Sequence, residues 1–299
     1  MSPGNCEDIG SNPISSNMKT IYCVPMICRT IPSSNEEIPV VGVGTWRGFD
    51  IGSGAVERAS LSAVLETLMN SGASVVDTSP MYGRAEAVVG DLLADLNRRD
   101  EAFIATKVWT QGRQEGILEM EKSFRLLQTD VIDLMQIHNL VDWRTHLKTM
   151  RSWQQDGRFR YLGYTHYRPH AFSDLIECLR AEPVDFLQFC YSINEPDAED
   201  QILPFCEANG IATIINLPFG GGDLLTRTSS KPLPDNAIEL GCKSWAQYCL
   251  KYIIAHPGVT CVIPGTSNPA HLAELLTAAD GPLPDAEIRK SMSFAFLNA

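Results

Sequence analysis

Eight short β-rich runs, each followed by a stretch of helical periodicity, limit the folds open to this chain more than any other feature. The runs are VVGVGTW (40–46), SVVDTS (74–79), AFIATKV (102–108), IDLMQIH (132–138), YLGYTHY (161–167), VDFLQFCYS (184–192), IATIINLP (211–218) and TCVIPGT (260–266). Between them, apolar residues recur at three- and four-residue spacing, as in Ile117, Met120, Phe124 and Leu127, or Phe172, Leu175, Ile176 and Leu179. That spacing lines one face of a helix. Ser71-Gly72 and Asn209-Gly210 stand where helices should stop, since glycine readily takes the left-handed conformation of a helix end. Strand and helix alternating eight times predict an α/β chain closed into a (β/α)8 TIM barrel, as a single domain over residues 36–299. An open doubly wound sheet is the competitor, but no G-x-G-x-x-G follows the first run to open a helix on a pyrophosphate.

Residues 1–35 differ from the rest, with Ser, Asn and Pro clusters around the apolar patch IYCVPMIC, and read as a flexible leader or a short hairpin. The long interruption at about 219–243, containing GGGD, TSS and PLPD, reads as a mobile loop over the barrel mouth. No run of about 18 apolar residues is present, which argues against a membrane partner. The N-terminus lacks the basic and apolar regions of a secretory signal. The nine cysteines are scattered and form no C-x-x-C, which fits a reducing compartment, the cytosol. A formal charge of −12 argues against a nucleic-acid partner, because phosphate binding draws on clustered Lys and Arg.

A barrel of this kind carries its chemistry at the C-terminal strand ends. The second run ends in Asp77-Thr78-Ser79 and continues Pro80-Met81-Tyr82-Gly83-Arg84, while the third ends at Lys107 and the fourth at His138. Each residue has an ordinary explanation alone: a helix cap, a solvated cation, a core histidine, a loop aromatic. On three neighbouring strand ends a carboxylate, a phenol, an ammonium and an imidazole should instead converge in one pocket. His166 and His170 are four residues apart, but Pro169 intervenes and no carboxylate joins them, so no metal site is expected.

The pieces VGVGTW, DTSPMYGRAEAVVGDLL, FIATKVW, DVIDLMQIHN, GYTHY and VIPGTSNPAHLAE resemble aldo-keto reductases in order and spacing, from about residue 37 to the C-terminus. The resemblance implies an NAD(P)H-dependent oxidoreductase that reduces an aldehyde or ketone to an alcohol, with Asp77, Tyr82, Lys107 and His138 as the catalytic residues. The chemistry agrees. Hydride delivery to a carbonyl builds negative charge on oxygen, which a proton donor must neutralise. Tyr82 would be that acid, with Lys107 lowering its pKa, Asp77 holding the lysine, and His138 hydrogen-bonding the carbonyl oxygen. A non-redox lyase or isomerase, or a regulatory cofactor-binding protein, are the alternatives on the same barrel.

The resemblance also implies the dinucleotide contacts. A Ser-Asn pair and a Gln that hold the carboxamide in similar enzymes read Thr165-His166 and Gln188 here. The aromatic that stacks on the nicotinamide is replaced by Asn216. Leu217, Pro218, Phe219, Gly220 and Gly221 would bring backbone N–H groups to the pyrophosphate. Thr45, Trp46 and Asp77 complete the inner contacts. After the eighth run, Gly265 and His271 stand where NADPH-preferring members carry Lys and Arg. Pro264, Thr266 and Ser267 accompany them, Glu274 matches the family's acidic contact, and Leu275 replaces its usual Asn. NADP(H) is favoured over NAD(H). Trp46, Met81, Trp109 and Asn139 should rim the substrate pocket and suit an apolar or aromatic small-molecule carbonyl compound of specialised metabolism.

Overall fold

The structure is a computed structural model and describes residues 26–298. It begins with an antiparallel hairpin, β1 (Cys28–Thr30) and β2 (Glu37–Pro39). There follow β3 (Val43–Gly44), α1 (Ala55–Asn70), β4 (Val75–Asp77), α2 (Ala85–Asp95), β5 (Phe103–Val108), α3 (Arg113–Leu127) and β6 (Ile132–His138). The chain continues through α4 (Trp143–Gln155), β7 (Phe159–His166), α5 (Phe172–Ala181), β8 (Phe186–Cys190), α6 (Ile202–Ala208) and β9 (Ala212–Asn216). Short helices α7 (Asp223–Thr228) and α8 (Asn236–Glu239) come before α9 (Trp245–Ile254), β10 (Cys261–Val262), α10 (Pro269–Leu276) and α11 (Ala286–Leu297).

Strands β3 to β10 form one eight-stranded sheet in sequence order, every neighbouring pair parallel. The first and last meet through parallel bridges Val41–Val262 and Gly44–Gly265, closing the (β/α)8 barrel. Glycine relieves close approach on both sides of β3, toward β4 and toward the seam. A Cβ on Gly42 would lie 2.7 Å from the Val75 carbonyl oxygen, and one on Gly44 3.0 Å from that of Ile263. The VVGVG run thus serves strand contact rather than a phosphate.

Alternation along the strands divides the apolar residues into two cores. Outward-facing Val76, Ile104, Ile137 and Phe189 pack beneath the helices, meeting such residues as Leu61, Leu65 and Leu68 of α1. Inward-facing Val75, Phe103, Ala105, Leu134, Tyr161, Phe186, Ala212, Ile214, Cys261 and Ile263 fill the barrel, with Ile31 and Ile38 of the hairpin closing its floor. The hairpin therefore crosses the boundary expected between residues 35 and 36, and its contacts join it to the barrel. Residues 1–25 of the expected leader lie outside the described residues. Arg29 ties the hairpin to the far end of the chain by donating to the carbonyls of Ile254, His256 and Val259, at and just beyond the end of α9.

The 219–243 segment differs from the expected loop. It contains α7 and α8, and Leu224, Thr228 and Ala237 are buried, because apolar residues at helical spacing give it a face to pack. Every described cysteine is a free thiol, and all but Cys28 are buried. Among the described residues, no helix is long and apolar enough to cross a membrane.

Candidate active site

Asp77, Lys107 and His138 lie at or next to the C-terminal ends of adjacent strands β4, β5 and β6. Each follows inward-facing residues by an even count (Val75, Ala105, Leu134), so all three enter the barrel mouth. The Lys107 ammonium is fully engaged. Its Nζ donates to both oxygens of Asp77 at 2.8 Å and to the Thr78 carbonyl at 2.7 Å, with only 1% of the side chain exposed. Three donors meet three acceptors, which is the condition under which a buried ion pair holds its charges. Burial pushes the Lys107 pKa down, and the Asp77 carboxylate opposes that shift.

Tyr82 reaches the site from the loop after β4. Its N–H donates to the Ser79 carbonyl at 3.0 Å, and the chain turns at Gly83, whose φ is 64°. The space a Cβ would fill there holds the Asp50 carboxyl group, 2.4 Å from that position. Asp50 Oδ1 also accepts from the backbone N–H and Nε of Arg84, each at 3.1 Å, so the loop after β3 and the loop bearing Tyr82 are joined. Lys107 Nζ stands 5.3 Å from the centre of the Tyr82 ring. The expected lowering of the Tyr82 pKa is corrected here: burial raises it, and the neighbouring Asp77 carboxylate raises it further. The charge of Lys107 is already neutralised by Asp77 at contact distance.

His138 lies edge-on to Tyr82, with ring centroids 6.3 Å apart and planes at 88°. Burial, then the charge of Lys107 and then His166, push its pKa down to about 3. The ring is neutral at physiological pH. The Ser79 hydroxyl oxygen accepts from the Met81 N–H and lies 3.4 Å from His138 Nδ1. The Ser79 hydroxyl has a proton free to give, and donating it to Nδ1 matches the tautomer that carries its hydrogen on Nε2.

Around this centre, Trp46, Met81 and Trp109 are each exposed by 41–45%, unusual for large apolar side chains. Trp109 inclines over His138 at 6.3 Å. Asn139, with φ 53°, begins a left-handed stretch directly after His138, and its Oδ1 is buried with no partner. Tyr167, exposed by 41% and stacked on His166 at 5.6 Å, belongs to the same end of the barrel. Trp143 packs edge-on against Tyr164.

The expected cofactor residues divide into two groups. Thr45 Oγ1, Gln188 Oε1 and Asn216 Oδ1 are buried without hydrogen-bond partners, as are Gln136 Oε1 and Thr78 Oγ1. Unpaired oxygens of this kind at one end of a barrel are costly in an apo protein and fit a ligand rich in N–H and O–H donors. Thr165 is buried beside Gln188, its register partner, and half-buried His166 follows it. Other positions are committed to the fold. The Pro264 carbonyl accepts from Gly44 N–H at 3.0 Å, and Gly265 bridges Gly44. Pro218, Phe219 and Leu275 are buried. Phe219 therefore packs its ring in the core and has only backbone to offer. The N–H groups of Gly220 and Gly222 donate at 2.9 Å to the carbonyls of Leu217 and Phe219, so those two amides of the run are already engaged. Leu217 is held at φ 48°, and Gly220, Gly221 and Gly222 all have positive φ. Thr266 is half-buried and Ser267 exposed just before α10, while exposed His271 and half-buried Glu274 lie within it, and no Lys or Arg occurs between residues 252 and 288.

Sequence reasoning missed Ser79, Gln136 and Tyr167. Gln136 donates to Asp77 Oδ1 at 3.4 Å from beneath the ion pair. Strict alternation in IDLMQIH, which puts residues 134, 136 and 138 on one face, was the signal that could have found it.

Among known proteins, a model of the Aldo/keto reductase family matches residues 40–294. Methylglyoxal reductase YeaE of Escherichia coli (strain K12) is 28% identical over 263 residues, covering 86% of this chain and 90% of that protein. Aldo-keto reductase YhdN of Bacillus subtilis (strain 168) is 28% identical over 203 residues, and there the match spans 62% of this chain and 60% of the relative. In structure, an aldo/keto reductase from Klebsiella pneumoniae in complex with NADP and acetate superposes with a TM-score of 0.71 at 23% identity, over 88% of this chain and 93% of the other.

Proposed function

Since the chain belongs to the aldo/keto reductase family and is an oxidoreductase of that kind, we propose that it reduces an aldehyde or ketone to an alcohol with NADPH, Tyr82 being the general acid. The observation that carries this reading is the buried Asp77–Lys107 pair standing beneath a phenol and a neutral imidazole at one barrel mouth.

The bound cofactor supplies hydride; the side chains manage the charge that results. As negative charge grows on the carbonyl oxygen, the Tyr82 hydroxyl and His138 Nε2–H are the donors available to it. The raised pKa of Tyr82 keeps the phenol protonated until that oxygen becomes the stronger base. A depressed pKa keeps His138 neutral, so it donates a hydrogen bond without adding a second positive charge beside Lys107. Lys107, fixed by Asp77 and the Thr78 carbonyl 5.3 Å from the phenol ring, makes the phenolate formed on transfer less costly than Asp77 alone would leave it.

Thr45, Thr165, Gln188 and Asn216 would hold the nicotinamide half of the dinucleotide, which their unpaired oxygens and hydroxyls suit. The NADP complex of the Klebsiella relative supports NADPH over NADH. With no Lys or Arg between residues 252 and 288, what that segment itself offers a 2′-phosphate is the hydroxyls of Thr266 and Ser267 and the imidazole of His271. The rim of Trp46, Met81, Trp109 and Tyr167 suits an apolar or aromatic carbonyl compound.

The test is a pair of titrations. NADPH should quench the fluorescence of the rim tryptophans, and an activated aromatic aldehyde should then consume the reduced cofactor. Tyr82→Phe should bind NADPH as tightly as the parent and reduce the aldehyde roughly 10²–10⁴-fold more slowly. Failure to bind either NADPH or NADH would sink the reading, and full activity in Tyr82→Phe would overturn the assignment of the acid.

A further inference from the structure

Gln188 lies in the middle of β8 and Asn216 ends the adjacent parallel strand β9, two residues further toward the mouth than Ile214, the register partner of Gln188. Phe186 and Ile214 line the barrel interior, so alternation turns Gln188 and Asn216 inward as well. Each carries a buried side-chain oxygen with no donor, Oε1 on Gln188 and Oδ1 on Asn216, and Gln188 as a whole is 1% exposed. Buried acceptors without donors are rare, and two on neighbouring strands ask for one group that donates twice. Leu217, directly after Asn216, is held in a left-handed conformation that a branched aliphatic residue seldom adopts. The chain thus accepts local strain next to this amide.

We propose that Asn216 is a specificity-determining residue for the cofactor: with Gln188 it forms a two-acceptor clamp for the –NH2 of a primary carboxamide, holding the nicotinamide by its edge rather than by stacking on its face. The inference rests on the dinucleotide reading above. A primary amide has two N–H donors on one nitrogen, and the clamp offers one oxygen to each. The Thr165 hydroxyl, in register with Gln188, is left for the amide's carbonyl oxygen. Asparagine presents no aromatic face, so hydrogen bonds would do here what π-contact does in an aromatic pocket. Such a clamp discriminates sharply: a group of the same size without N–H leaves both oxygens buried and unpaired.

The 3-acetylpyridine analogue of NADP provides that group, replacing –NH2 by –CH3. Binding of oxidised NADP and of this analogue would be followed by quenching of tryptophan fluorescence, with no substrate present. The parent protein should bind the analogue at least about tenfold more weakly than NADP. Asn216→Leu should cut that ratio several-fold, mainly by weakening NADP. Asn216→Tyr, which provides a ring in place of the acceptor, should retain dinucleotide binding while discriminating less than the parent. Equal binding of NADP and the analogue to the parent would overturn the clamp. So would an unchanged ratio in Asn216→Tyr, should Asn216→Leu fail to fold. Absence of any dinucleotide binding to the parent is a different result and defeats the underlying functional reading.

Discussion

The rings of Tyr82 and His138 meet edge to face, 6.3 Å between centroids and 88° between planes, with Lys107 Nζ 5.3 Å from the phenol ring. Two neutral donors thus share a floor whose single positive charge is already paired with Asp77. Disturbing that pair has a calculable result. Asp77→Leu leaves the Lys107 ammonium buried opposite one carbonyl, and unfolding in urea should show a loss of about 3–5 kcal/mol. The double variant Asp77→Leu/Lys107→Met removes both charges and should regain most of that stability without regaining aldehyde reduction.

Acid should act on stability before it acts on the histidine of the site. His138 and His256 are held neutral, with pKa values of about 3 and about 4, mainly by burial. The unfolded chain protonates both near pH 6.5. Between those limits the unfolded state binds more protons, so stability falls as pH drops from about 6.5 toward 4. His256→Gln should flatten this slope in a thermal-melt series. The reduction rate should lack a histidine-type limb between about pH 5 and 8, and a break there would contradict a neutral His138.

Gly83 is fixed by two constraints, a φ of 64° and the Asp50 carboxyl group 2.4 Å from the place of its missing Cβ. Gly83→Ala should cost about 1–3 kcal/mol and lower kcat while leaving NADPH affinity near that of the parent, since the displaced residue is Tyr82. Adding Asp50→Ala removes the clash, leaves the backbone strain, and should recover part of the loss in a denaturation measurement.

Glu199 accepts from the hydroxyls of Tyr191 at 2.5 Å and Tyr252 at 2.6 Å and from Arg289 at 2.5 Å, binding α11 to α9 and to the segment after β8. Those bonds, against the opposing effect of burial, hold its carboxyl below the usual range. Arg289→Met removes the cation but not the anion, and differential scanning calorimetry should show a Tm several degrees lower.

The barrel was legible because its strands are apolar on both faces and its helices on one. The run IDLMQIH matches β6 residue for residue, while TCVIPGT shrinks to the two residues of β10, Pro264 having no N–H with which to continue the ladder. Asp77, Tyr82, Lys107 and His138 are brought together as expected because strand order alone fixes three of them. What the residues could not reveal was mutual charge. The Thr78 carbonyl as third acceptor of Lys107 is a main-chain contact, and the rise of the Tyr82 pKa depends on burial and on how completely Asp77 cancels the lysine. A short hairpin was one of the two readings of residues 1–35, but its reach past residue 35 and its place under the barrel escaped notice for a related reason. CRT and EIP are three residues each, and their value lies in Ile31 and Ile38 meeting a floor built from distant strands.

The seam that pairs Val41 with Val262 also governs how the molecule comes into being on the ribosome. The edge of β3 emerges early and stays without its second neighbour until almost the whole chain has been translated, and Arg29 waits equally long for the end of α9. A nascent chain stalled before residue 254 therefore carries an open sheet edge and a hairpin not yet tied at Arg29, the kind of surface that recruits chaperones or sticks to other chains. The last strand closes the cylinder on β3, and the segment just before it supplies the carbonyls that Arg29 holds.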